Sequence, residues 1–145
     1  MRSAAELLRS ARLVVSPETF HVVSVGHEDW RSIVSNPELS PDMSSEFILF
    51  KDRWEVTLVV NDADFSRLRP ALSLAKIESG YRLLSFDADL DFDVVRFIAE
   101  IARILANHGI SILPLASFAR DHVLVRQSDL ARSLKAFRGI VDEVC

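Results

Sequence analysis

At 145 residues with 49% hydrophobic content, the chain can fill a core of its own, as one ordinary domain or two very small ones. Its formal charge of -4 and pI near 5.5, with Arg9, Arg12, Arg53, Arg67 and Arg103 scattered along it, leave no electrostatic footprint for nucleic acid. The single cysteine, Cys145, excludes an internal disulfide, a cysteine zinc site and a Cys-His nucleophile pair, and it fits a reducing cytoplasm.

No stretch reaches the roughly 18 apolar residues that a membrane span needs, so no membrane role is expected. Glu6 and Arg9 break any signal-peptide core in MRSAAELLRSARLVV, where Leu7, Leu8 and Ala11 mark a short helix laid on the domain. FHVVSV at 20–25 reads as a strand. Residues 27–45 hold Asn36, Pro37, Ser40 and Pro41, leaving room only for a short helix near 30–34. The block from Glu55, EVTLVV, is the next strand, and Pro70 stops or kinks a helix that begins near Asp62. Residues 72–79 stay open between helix and edge strand.

The second half is better specified. YRLLSF at 81–86 is an apolar strand, followed by the acidic loop DADLDFD. A helix over 93–108 carries Val94, Ile98, Ile101 and Leu105 on one face and Arg96, Glu100, Arg103 and Asn107 on the other. Asp91 or Asp93 can cap its start, and Gly109 stands where a left-handed C-terminal cap is wanted. Next come a strand at 110–117, apolar enough to be central, a strand at 122–126, and a helix at 128–137 with Ser128 as its cap. The order is β-α-β-β-α, and the tail at 140–144 is the candidate for a final strand. His108 is expected to cap the helix it follows.

The two halves share a grammar. FHVVSV aligns with YRLLSF, and EVTLVVNDADFSRL aligns with DHVLVRQSDLARSL, which sets Glu55 opposite Asp121. The first half lacks the long amphipathic helix, so it reads as a degenerate copy.

On the blocks AELLRSARLVVSPETFHVVSV, WEVTLVV, LDFDVVRFIAEIARILANHGISIL and RDHVLV, the chain resembles the ACT domain, and as a whole the small tandem-ACT proteins. GISIL, followed by an acidic residue opening the DHVLV strand, is the specific part. The resemblance implies an α+β, ferredoxin-like βαββαβ fold in two tandem modules, a degenerate one at 1–78 and a second at 79–145. It also implies a ligand pocket built from the loop after the first strand, with Asp91, Asp93, Val94 and Val95, from Ile112 and Leu113 on the following strand, and from Asp121. Asp121 would take a ligand ammonium as a charge-assisted hydrogen bond. Related sequences commonly have glycine where this chain has Arg96. There the guanidinium either grips a ligand carboxylate in place of backbone amides or belongs to the solvated stripe with Glu100 and Arg103.

Other chemistries fit less well. Asp87, Asp89 and Asp91 have the opening spacing of a calcium loop, but Phe92 replaces its turn glycine and Ile98 its bidentate glutamate, so no metal is expected. Asp121 and His122 alternate to opposite strand faces and cannot orient one another as base and orienter for Ser117, so no catalytic residue is expected. Trp30 and Trp54 read as core or interface aromatics. Glu55 is either half of a pseudo-symmetric ligand pair with Asp121 or one of two strand-end acids. The expected protein is a non-catalytic, cofactor-free, cytoplasmic sensor that binds a free amino acid or similar metabolite and dimerises. The alternative is an assembly module whose pocket is lost.

Overall fold

The computed structural model describes residues 3–88 and 97–145. In chain order they form α1 (Ala4–Ser10), β1 (Arg12–Val15), β2 (Phe20–Val25), α2 (His27–Val34), β3 (Ile48–Lys51), β4 (Val56–Asn61), α3 (Asp62–Leu68), β5 (Lys76–Asp87), α4 (Phe97–Asn107), β6 (Ile112–Ala116), β7 (Asp121–Arg126), α5 (Leu130–Phe137) and β8 (Glu143–Val144). From β5 onward the order is βαββαβ, with the tail supplying the final strand. Pairing is mixed: β1 runs antiparallel to β5 and parallel to β8. Contacts divide the chain into two compact units, one from the described residues of Met1–Pro17 and Arg82–Cys145, the other from Glu18–Tyr81.

In the first unit, alternation along β5 sends Leu84 and Phe86 into a core with Leu13, Val123 and Val125. Leu7, Leu8, Ile101, Leu105 and Phe137 cover it from the three helices. Phe86 meets Phe97 and Phe137 edge-on, with centroids 6.4 and 5.0 Å apart, the geometry that ring quadrupoles favour. α1 is fixed by a capping box between Ser3 and Glu6. α4 ends as its glycine predicts: Gly109 has φ +69°, its N–H donates to the Ala106 carbonyl at 2.9 Å, and Ile110 N–H reaches back to Leu105 at 3.1 Å.

Two expectations fail here. Among the described residues β6 pairs only with β7, so this apolar strand is not central, and Leu113 and Pro114 are exposed. Ser128 does not cap α5: it lies in a 3-10 turn at Gln127–Asp129, Asp129 is the cap residue, and the Ser133 hydroxyl closes on the Asp129 carbonyl at 2.7 Å.

The second unit orders its strands β3-β4-β2-β5, all antiparallel. Val23, Val25, Leu58 and Val60 point into a core closed by Ile33 of α2 and Leu68 of α3. The open stretch 72–79 resolves as strand from Lys76 onward. Sequence reading missed β3, a four-residue strand with only Ile48 partly buried. A bulge interrupts the β2–β5 pairing: His21 faces Ser79 but Phe20 faces Tyr81, and Gly80 absorbs the extra residue at φ +82°.

Candidate functional site

The functional chemistry of the first unit gathers where β5 ends, beside β1 and the β6–β7 turn. Ser85 and Asp87 occupy the β5 face opposite Leu84 and Phe86. Register places Arg12 directly across from Asp87. Arg12 Nη2 lies 3.2 Å from Asp87 Oδ2, and Arg120 Nε lies 2.8 Å from Oδ1, so one carboxylate joins two guanidinium groups. The hydrogen bonds from Arg120 and then Arg12 hold the Asp87 carboxyl below the ordinary carboxylate range. The same Asp87 contact raises Arg12.

Next to this triplet, His122 bridges two hydroxyls, with Nδ1 at 2.8 Å from Ser85 Oγ and Nε2 at 3.0 Å from Ser117 Oγ. The Ser117 hydroxyl donates its one proton to the Arg120 carbonyl at 3.1 Å. These contacts tie the β6–β7 turn to Ser85 on β5.

Asp121, the first residue of β7, stands on the opposite face with Val123 and Val125, at the rim of the core. Burial pushes its carboxyl above the ordinary range, offset in part by the nearby His122. Its side chain makes no hydrogen bond or ion pair to another described residue. A half-desolvated carboxylate of this kind favours a cationic partner.

Residues 76–139 match the ACT domain. The matched segment contains β5 through α5, and hence Asp87, Arg120, Asp121 and His122. Among solved structures, the chain is similar to a protein from Agobacterium tumefaciens, with 15% identity, a TM-score of 0.71, and 94% of this chain and 92% of that one covered. It is also similar to a Vibrio cholerae protein of unknown function, described as a possible transport protein, with 22% identity, a TM-score of 0.67 and 95% of both chains covered. A third is the ligand-free regulatory subunit of aspartate kinase from Thermus thermophilus, with 12% identity, a TM-score of 0.62, and 92% and 98% covered. At these identities the likeness establishes the fold. No curated protein matches at the sequence level.

Within the ACT segment the anticipated pocket residues do not all converge. Ile112 and Leu113 pair with Val125 and Leu124, whereas Asp121 pairs with Ala116 at the other end of the hairpin, four residues or ~13 Å along the strand. Asp91, Asp93, Val94, Val95 and Arg96 lie outside the described residues. His108 caps as expected, with Nδ1 2.9 Å from the Ile104 carbonyl.

Glu55 belongs to the other compact unit, where it is exposed. In its hairpin Asp52 N–H meets the Glu55 carbonyl at 3.0 Å, the counterpart of Ser117 N–H to the Arg120 carbonyl at 2.9 Å. Glu55 thus stands just before β4, as Arg120 stands just before β7, whereas Asp121 opens its strand. Of the tryptophans, Trp30 packs against the second core and Trp54 stands 75% exposed.

Sequence reasoning missed one further cluster. His21 on β2 contacts Ser79 Oγ through Nδ1 at 2.8 Å and Asp62 Oδ1 through Nε2 at 2.5 Å, while its ring stacks on Phe65 with centroids 3.9 Å apart. Its partners are 58 and 41 residues away in sequence, too far for any local pattern to show. Among the described residues no helix is long and apolar enough to cross a membrane, and no three metal-ligating side chains cluster.

Proposed function

We propose that the chain is a cytoplasmic, non-catalytic sensor or regulatory protein of two ACT-like modules. It binds a free amino acid or similar small metabolite and transmits occupancy through a ligand-dependent oligomer or partner. The observation that carries this reading is the match of residues 76–139 to the ACT domain, with Asp121 at the head of β7. A ligand ammonium at Asp121 offsets the desolvation that its carboxylate otherwise bears. The regulatory role of the aspartate kinase subunit of similar fold is consistent with this assignment.

Thermal denaturation against the common amino acids tests it. A binder stabilises the fold by RT ln(1 + [L]/Kd), about 2.7 kcal/mol at a hundredfold excess over Kd, and so raises the melting temperature. Asp121→Ala should abolish that gain while the ligand-free variant still melts cooperatively. No shift from any amino acid at millimolar concentration would remove the sensor reading.

A second reading, an assembly module without ligand, is favoured by β3. This edge strand of the second unit exposes Leu49 at 43% and Phe50 at 62%, with Trp54 at 75% just beyond, where edges are ordinarily protected by charge or cover.

A further inference from the structure

The second unit holds a cavity of about 230 Å³ between α2, the segment from Asn36 to Phe47, and the sheet. Its lining includes Trp30, Ile33, Leu39, Met43, Leu58 and Leu68; Ser40 supplies the sole hydroxyl and Trp30 an indole N–H, and none of the lining residues is charged. Val34 and Met43, 62% and 75% exposed, mark where it opens to solvent. Apolar interiors ordinarily collapse until few voids larger than a water remain. Here collapse is resisted by polar ties. Arg67 Nη1 donates to the Glu38 and Ser40 carbonyls at 3.1 and 2.9 Å, and Asp64, buried and ion-paired to Arg67, accepts the Asp42 N–H at 3.1 Å. Asn61 reaches the Ser45 hydroxyl at 3.2 Å. These bonds pin the 36–45 strap to α3 and β4 and hold it off the sheet, so the space beneath it is preformed.

We propose that this cavity is a binding site for a small uncharged molecule, an aromatic or branched aliphatic group of roughly ten heavy atoms. An apolar cavity of about 150 Å³ already accepts benzene in another protein, which sets the size class. The lining excludes a zwitterion, because an ammonium or carboxylate would enter without a partner. It allows a small polar handle, at the Ser40 hydroxyl or the Trp30 indole N–H. The site is therefore distinct in chemistry from that at Asp121, and its occupancy does not depend on an amino acid binding there.

The test uses bromobenzene, whose heavy atom quenches tryptophan, on the full-length Trp54→Phe protein, in which Trp30 is the remaining tryptophan. Quenching should saturate with bromobenzene, and leucine should not compete. Filling the cavity by Ile33→Phe, or by Ser40→Leu from the strap should the first not melt cooperatively, should weaken the apparent Kd at least tenfold. Linear, unsaturable quenching overturns the proposal, as does equal affinity in a folded filled variant. Saturation that appears only on dilution from dimer to monomer also overturns it, since a second copy's side chain would then be the occupant.

Discussion

Asp87 and Asp121 are both carboxylates at strand ends, yet their surroundings move their proton affinities in opposite directions. Asp87, held low by Arg120 and Arg12, contributes stability that is present above its unfolded pKa and lost as pH falls through its lower folded value. Asp121, raised by burial, binds its proton more tightly in the folded state, so it opposes folding as pH rises through the window above the ordinary carboxylate value. Asp121→Asn should therefore raise the ligand-free melting temperature at neutral pH, and the gain should shrink as pH falls below that window. Calorimetry across this range reads it directly, and a gain that is constant with pH would assign the strain to packing instead. Asp121 was legible in sequence because an acid opening an apolar strand stands out locally. Its arginine-bound neighbour was not, since Asp87 meets Arg12 and Arg120 across 75 and 33 residues.

Among the elements, α4 and its glycine cap were readable because a 3.6-residue stripe and a left-handed turn both leave local marks. β6 misled for the converse reason. Its run of apolar residues is the same whether a strand is paired on one side or two, and only the register with β7 reveals the edge. The 36–45 strap shows how a Pro- and Ser-rich stretch gains order outside α-helix and strand, through Arg67 donating to its carbonyls and Asp64 accepting its Asp42 N–H. Arg67→Ala removes two donors to carbonyls and the partner of a buried carboxylate. It should cost about 2 kcal/mol, read as a lower urea midpoint, together with faster hydrogen exchange at the Asp42 amide. An unchanged midpoint would mean that apolar contacts alone hold the strap.

For the whole molecule, solved structures of similar fold span nearly its full length, while the ACT match covers residues 76–139. Self-association through β3 makes a separate prediction. Phe50→Lys places a charge on that edge and should shift sedimentation toward monomer without lowering the melting temperature, since Phe50 is 62% exposed. Unaltered sedimentation of a dimer would locate the contact elsewhere. The bulge at Gly80 has a wider consequence for β5, a single strand that serves both compact units. Strict alternation would put Ser79 and Tyr81 on one face, yet the bulge sets them opposite His21 and Phe20, which face opposite ways. Gly80 thus acts as a phase shifter: odd-numbered Ile77 packs on a core before it, and even-numbered Leu84 and Phe86 after it. Pairing Gly80 as an ordinary strand residue would leave the sequence unchanged and still turn the side chains on one side of it to the opposite face.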